Sequence, residues 1–340
     1  MLKFMHCVVV ALVLTPTNGA AQNFDTGVYA FIAGDYDAAF REWRPLAEQG
    51  DARAQYNLGA IYENGHGVAQ DHAEAVRWYL LAAAQGNASA QHNLGLSSEH
   101  GKGAVLNFAE AVEWYRLAAD QGLVHSQYNL GVMYYQGKGV SQDYTIAARW
   151  YRLAANQGLV PAQYNMGVVY QNGHGVAQDD AEALRWYRLA AQQELASAQS
   201  SLGIMYENGH GVAQDHAEAI RWYRMAADQG FAGAQNNLGR MYHLGKGLPQ
   251  DQAEAARWYL AAASQGFADA QSNLGFMYLF GEGMAQDDST AHMWLNIAAA
   301  QGDEIAIEGR DLVAEYMATE AISMAQHRAN LCISSNYQNC

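Results

Sequence analysis

A spacing of 36 residues constrains this chain more than any other feature. Gly59, Gly95, Gly131, Gly167, Gly203, Gly239 and Gly275 stand 36 apart. Trp78, Trp114, Trp150, Trp186, Trp222, Trp258 and Trp294 keep the same interval, as do Gln55, Gln91, Gln127, Gln163, Gln199, Gln235 and Gln271. Three columns in one frame define seven units: 51–86, 87–122, 123–158, 159–194, 195–230, 231–266 and 267–302. A repeat of this length is one supersecondary element that cannot hide its apolar face alone and must stack on its copies.

Each unit reads as two helices. In the first, Ala54, Leu58, Ile61 and Tyr62 recur at helical spacing, predicting helix A over about 52–64. Ala75, Trp78, Tyr79, Ala82 and Ala83 mark helix B over about 71–85. Asp71 stands at the N-cap with Glu74 three residues on, Gly86 where a left-handed cap belongs, and Glu74 and Arg77 can pair. Small residues at 59, 82 and 83 let the helices approach, and the tryptophan fills the space between hairpins. Burying about 200 Å² of indole stabilises by up to about 5 kcal/mol before entropy is subtracted. The tryptophan column is therefore expected to be a structural spine rather than a ligand-stacking row.

The stretch ENGHGVAQDHAEA at 63–75 returns unchanged at 207–219. Its glycines recur as Gly65/Gly67 through Gly281/Gly283, always between helix A and helix B. No strand precedes them, and neither the dinucleotide nor the P-loop pattern is present, so they predict a tight turn and not a phosphate cradle. His66, His174 and His210 lie between these glycines, with His72 and His216 six residues after two of them. Lys102, Lys138, Lys246 and Glu282 fill the same column elsewhere, and equivalent positions in stacked hairpins lie about 10 Å apart. Solvent-facing turn histidines are expected, with no metal and no cofactor.

Residues 1–21 stand outside the repeat. A basic start at Lys3, an apolar run from Phe4 to Leu14 and small residues at Gly19–Ala21 form the pattern of a cleavable export signal, cut after Ala21. The run is too short for a membrane span, and no later segment could cross a bilayer, so a periplasmic or secreted chain is expected. Cys332 and Cys340 then remain, as a disulfide or as two free thiols. Asn87-Ala88-Ser89 matches a glycosylation tripeptide that also arises by chance.

Residues 22–50 read as an N-terminal capping hairpin, with Trp43 in the tyrosine column and Pro45 expected to kink or restart its second helix. Residues 303–332 read as C-terminal capping helices covering the last edge, and 333–340 as a tail that frays after Leu331. Ser97 and Ser98 replace a large core pair, and Glu194 replaces the cap glycine, so both places are expected to be soft. Half the 340 residues are apolar and only 16% charged, which is globular, and four prolines leave room for long helical stretches. A net charge of −15 argues against nucleic acid and against anionic lipid.

The order A-x-x-x-L-G-x-x-Y, G-x-G-V, D, A-x-x-W-Y-x-x-A-A-x-x-G resembles the Sel-one-like repeat, a relative of the tetratricopeptide repeat. Ala54, Leu58, Gly59, Tyr62, Gly65, Gly67, Val68, Asp71, Ala75, Trp78, Tyr79, Ala82, Ala83 and Gly86 carry it in the first unit, and it covers 51–302. The resemblance implies an all-α fold, a right-handed α/α superhelical solenoid. It also implies a scaffold: exported bacterial members look like adaptors in signalling, envelope assembly or host contact, and others serve in membrane-bound protein degradation. Cysteine-rich members are described as penicillin-binding or β-lactamase-like, but their cysteine pair in each repeat is missing here.

Columns that vary between repeats are free to serve a partner. On helix A, positions 56, 60 and 63 share a face, read as lying opposite the core. Tyr56, His92, Tyr128, Tyr135 and Tyr164 form a candidate partner groove there, with Phe276, Leu279 and Phe280 as a second, apolar contact. The alternative is that these side chains pack against neighbouring helices. The asparagine ladder from Asn57 to Asn273 beside this face reads as structural. No H-E-x-x-H, G-x-S-x-G, Walker or C-x-x-C pattern appears. The leading function is therefore a non-catalytic scaffold for a protein or peptide, with peptidoglycan binding, or a β-lactamase-like cell-wall activity, as alternatives.

Overall fold

A computed structural model describes residues 18–337 and Cys340. Most of the expected export signal lies outside the described residues, although a helix already begins at Asn18. The described residues are helical throughout, with no strand among them. The chain divides into two compact units, residues 1–162 with 174–176, and residues 163–173 with 177–340. The division falls inside the fourth repeat.

The first unit contains α1 (Asn18–Ile32), α2 (Tyr36–Glu48), α3 (Ala52–Asn64), α4 (His72–Ala84), α5 (Ala88–His100), α6 (Phe108–Asp120), α7 (Val124–Gln136) and α8 (Tyr144–Asn156). Helix α9 (Val160–Asn172) bears the division. The second unit continues with α10 (Asp180–Gln192), α11 (Ala196–Asn208), α12 (His216–Asp228), α13 (Ala232–Leu244), α14 (Gln252–Ala263), α15 (Ala268–Phe280), α16 (Asp288–Ala299), α17 (Glu304–Ala314) and α18 (Thr319–Ser334). Odd-numbered helices from α3 to α15 are the A helices and even-numbered ones from α4 to α16 the B helices.

Caps set these lengths. Asp71 accepts the backbone N–H of Ala73 and Glu74, and Asp143, Asp179, Asp215, Asp251 and Asp287 repeat the device. Glu74 pairs with Arg77 instead of reaching back to complete a capping box. Gly65 ends α3 in the left-handed conformation. Gly67 also has positive φ, and a Cβ there would strike Tyr36 and Asp37 of the preceding hairpin. Gln70 closes the turn by donating to the Glu63 carbonyl. Both glycines are thus fully employed by architecture.

The core corrects the spine expected from sequence. Trp78, Trp186 and Trp294 are buried, but Trp114, Trp150, Trp222 and Trp258 are only half-buried. The adjacent tyrosines, Tyr79, Tyr115, Tyr151, Tyr187, Tyr223 and Tyr259, are the deeper column, each at most 2% exposed. Each tyrosine ring lies on the helix A glycine of its own hairpin, as Tyr79 does on Gly59, where an added Cβ would come within 2.5 Å of the ring. The tryptophans face the other way. Trp114 packs on the cluster of Ala75, Tyr79 and Ala82, and Trp150 on that of Ala111 and Tyr115, each in the preceding repeat. Neighbouring W and Y therefore divide the labour between joining repeats and closing a hairpin.

The glutamine column adds a polar rung. Gln55 donates to the Ala47 carbonyl in the previous hairpin and accepts from Gln85 at 2.8 Å. The amide pair recurs down to Gln301 and Gln271 at 2.7 Å. The column members Gln55 to Gln271 are buried while their partners Gln85 to Gln301 are exposed, so leaving a buried amide unpaired would cost about 1–3 kcal/mol.

Several expectations at the ends need correction. Helix α2 runs through Pro45 without restarting, with the proline ring on the exposed side. Trp43 takes the tyrosine role over Gly27 and donates to the Phe24 carbonyl at 3.0 Å. The C-terminal tail does not fray at Leu331: α18 continues to Ser334, Cys332 is buried, and Tyr337 lies against Gly266. Cys332 and Cys340 are joined as a disulfide, with Cα atoms 4.7 Å apart. Glu194 retains the left-handed backbone of the glycine it replaces, φ 64°.

Two stability outcomes follow from these positions. Gly59→Ala should lower the Tm of the full chain. The helix propensity gain of about 1 kcal/mol is outweighed by about 1–3 kcal/mol of overpacking against a ring with nowhere to go. Glu194→Gly should raise stability by roughly 1 kcal/mol by relieving the left-handed penalty. Urea unfolding of both variants checks the opposite signs.

Candidate partner-binding face

Helix A carries the candidate residues, and its inner edge is more occupied than the sequence implied. Positions 56, 60 and 63 do not lie opposite the core: Ala60 is buried, Tyr56 and Glu63 half-buried. Glu63 accepts the hydroxyl of Tyr79 at 2.6 Å, Glu99 that of Tyr115 at 2.6 Å, Gln171 that of Tyr187 at 2.7 Å and Glu207 that of Tyr223 at 2.8 Å. Asn93 lies toward the hydroxyls of Tyr79 and Tyr56, and Asn129 toward that of Tyr115, where each favours the charged form of the phenol, so the asparagine ladder faces the tyrosines of the preceding repeat.

The predicted tyrosines rest on that layer. Tyr56 lies 5.8 Å from Tyr79, Tyr128 5.9 Å from Tyr151 and Tyr164 5.5 Å from Tyr187, all ring centroid to centroid and tilted. His92 bonds the Ser126 hydroxyl at 2.8 Å and lies 5.7 Å from Tyr115. Tyr135 contacts Tyr144 at 5.0 Å, and its hydroxyl meets His174 Nδ1 at 2.9 Å. Each side chain is tied to its own repeat or the next. Tyr56, His92, Tyr128 and Tyr135 belong to the first unit and Tyr164 to the second.

The turn histidines also depart from expectation. His66 stacks on Tyr36 at 4.4 Å and His174 on Tyr144 at 4.6 Å, both half-buried, while His210 alone of the three is exposed. Lys138 takes the same seat over Phe108, 5.9 Å from the ring. These turns clip onto the first residue of the previous helix B. No group of three metal-binding side chains occurs among the described residues.

The apolar C-terminal candidates are better placed. Phe276 and Phe280 stack at 6.2 Å, Leu279 is half-buried, and Phe280 is 62% exposed. Phe276 also covers Gly309 of α17. Beside them lies a group the sequence reading missed. The Glu207 carboxylate, 4% exposed, meets Arg240 at 2.8 Å, Lys246 at 3.9 Å and the Tyr223 hydroxyl. His243 approaches Glu282 at 3.7 Å. Ile204 and Leu244 are exposed on the same helices. The signal was present: position 60 is apolar in every repeat except at Arg240, and position 64 is polar until Leu244 and Phe280.

This face lacks a nucleophile–base pair. Glu207 has its oxygens taken by two cations and a phenol, which suits positioning rather than proton transfer. A cleft of about 310 Å³ in the second unit is lined by Leu260, Leu274, Tyr278 and Met284 with Arg257 at its edge. It opens where Leu260 replaces the arginine that elsewhere reaches the tyrosine hydroxyl, as Arg224 does to Tyr242 at 2.6 Å. No described helix is long and apolar enough to cross a membrane.

Comparison with known proteins agrees with this architecture. The Sel1 repeat matches residues 52–87, 88–123, 124–159, 160–195, 196–231, 232–267 and 268–303. The chain belongs to the Sel1 repeat family. Its fold is an all-α helical-repeat solenoid, a class of scaffold that mediates protein–protein interaction and is generally non-catalytic. A Sel1 repeat protein from Oxalobacter formigenes is 38% identical over 86% of both chains, with a TM-score of 0.68. A protective antigen with this fold from uropathogenic Escherichia coli is 28% identical over 94% of this chain and 85% of its own, TM-score 0.48. A Sel1 repeat protein from Klebsiella pneumoniae is 25% identical over 60% of this chain and 99% of its own, TM-score 0.40. Among curated proteins none matches.

The buried hydroxyls give this layer a pH signature. Burial, then the neighbouring carboxylate, raises the phenols of Tyr79 and Tyr115 well above the usual range, and burial raises Tyr223 and Tyr259 as well. A folded-state value above the unfolded one, about 10, means the unfolded chain loses these protons first. Stability should therefore hold below about pH 10 and fall as pH rises beyond it. Urea midpoints across that range, read alongside phenolate absorbance, test the sign.

Proposed function

We propose that this protein is an exported, non-catalytic scaffold that holds a protein or peptide partner on the helix A face of repeats five to seven. The observation that carries this reading is the exposed apolar edge of Ile204, Leu244 and Phe280 beside Arg240, which is held by the buried Glu207. Apolar anchors next to a fixed, half-exposed guanidinium offer a partner both contact area and a directional donor. The tyrosines of the earlier repeats serve mainly as second-layer packing over the buried phenols, so the glycan alternative loses its stacking platform. Export is supported by the signal-like residues 1–21 and by the Cys332–Cys340 disulfide, a bond that persists in oxidising compartments.

The test is capture from an envelope extract with the mature chain and with a Leu244→Asp plus Phe280→Asp variant. Both side chains are exposed, so the variant should keep its Tm within about 2 °C. The expected result is loss of the captured protein. Retention of the same partner would remove this face as the site, and capture of sugar polymer alone would replace the protein-scaffold reading with a glycan-binding one.

A further inference from the structure

Helix α17 presents a surface that no other described element covers. Ala306, Gly309 and Val313 are its buried side, set against α15 and α16. Helix α18 turns away to pack on α16, placing Ala329 and Cys332 in the core around Tyr259 and Trp294. The outward side of α17 is left open. Ile305 and Leu312 lie there at i and i+7, with Tyr316 in the turn just beyond the C-cap, and the three are 66%, 43% and 75% exposed. Beside them run Glu304, Glu308, Asp311 and Glu315, at i, i+4, i+7 and i+11, all exposed. At about 100° per residue Ile305 and Leu312 form one stripe of the helix and Glu304, Glu308 and Asp311 the adjacent one, apolar beside acidic, with Tyr316 and the cap residue Glu315 at the end where both stripes leave the helix.

Local stability accounts for Glu304, in the first turn at the positive end of the helix dipole, but not for the rest of the acidic stripe. Like charges four apart on a helix destabilise it, by about 0.2–0.5 kcal/mol for a pair, and both Glu304/Glu308 and Asp311/Glu315 are such pairs. Glu315 at the C-cap also faces the negative end of the helix dipole. Arg310 offsets Asp311 alone, at 2.7 Å. No ion pair reaches Glu304, Glu308 or Glu315 among the described residues.

We infer that the outward face of α17 is a docking surface for a basic amphipathic helix of a partner protein, its lysines or arginines on the acidic stripe and its apolar side on Ile305, Leu312 and Tyr316. The inference rests on the scaffold reading and adds to it a second surface and the chemistry of its occupant. Charge selects the occupant. A second copy of this chain, net −15, would set carboxylate against carboxylate, and an anionic lipid surface would be repelled. Two helices packed along these stripes satisfy the apolar and ionic faces together.

The experiment uses the full mature chain and a fluorescent synthetic helix of about 14 residues, leucines on one face and lysines on the other. A leucine/glutamate helix of the same pattern is the comparison. The lysine helix should bind by anisotropy, and Glu308→Lys plus Glu315→Lys should weaken it at least roughly ten-fold while admitting the glutamate helix. Leu312→Ser plus Tyr316→Ser should weaken it comparably. Glu74→Lys plus Glu113→Lys makes the same change in net charge far from α17 and should leave binding within about two-fold. Equal loss in that control would show adsorption to the acidic chain at large and overturn the inference. A dimer in sedimentation that the α17 variants dissociate would assign the surface to a second copy and overturn it too. Loss of the envelope partner from Leu244→Asp plus Phe280→Asp, with the lysine helix unaffected by the α17 changes, would sink this inference and leave the scaffold reading intact.

Discussion

One contact is repeated until it becomes a protein: a tyrosine ring seated on a glycine across a helical hairpin. The glycine gives up helix propensity so that the ring can sit against bare backbone. The ring then carries its hydroxyl to the inner edge of helix A, where a carboxylate or amide accepts it and the next repeat's asparagine lies nearby. Sterics, hydrogen bonding and inter-repeat contact thus meet on one side chain. The seventh repeat shows that these choices are coupled. Leu295 replaces the tyrosine there, and Leu279 replaces the acceptor in the same hairpin. An acceptor left without its phenol would be a desolvated carboxylate with nothing to hold.

Much of this was legible in the sequence because periodicity reports what every repeat needs. Helix α3 spans Ala52–Asn64, the Asp71 cap holds, and the glycine pairs are turns. Direction was the part that periodicity hides. Trp78 recurs in every repeat and Tyr79 in all but the seventh, yet they point about 100° apart, and no spacing says which one faces the partner helix and which the preceding hairpin. Size suggested the tryptophan as the spine. The tyrosine is the deeper because the glycine opposite it leaves a flat seat that a ring with one polar end fills.

The candidate site was less legible for a related reason. Variation within a column was read as freedom to bind a ligand. Position 63 varies among Glu, Gln, His, Tyr and Leu, yet in four repeats Glu or Gln accepts the same hydroxyl. Different residues performing one chemical task look variable by identity while constrained by function. The more informative signal is a change of chemical class at a position otherwise uniform: Arg240 among aliphatics and an aromatic, Leu244 and Phe280 among polar residues.

Those class changes concentrate in the second compact unit, and they share a physical logic. Each introduces something the repeat itself does not require. Arg240 and Lys246 turn a half-buried acceptor into the buried, doubly paired Glu207. Leu260 opens a cleft over Tyr278 that an arginine closes elsewhere. Leu244 and Phe280 leave half or more of their surface in water. A fold assembled from identical hairpins has little need to break its own pattern for stability, since every neighbour offers the same complementary surface. Departures that leave apolar area in water therefore call for a reason outside the stacking itself; they include Val105 and Leu106 in the second repeat's turn, Ile204, Leu244 and Phe280 on helix A, and the open side of α17.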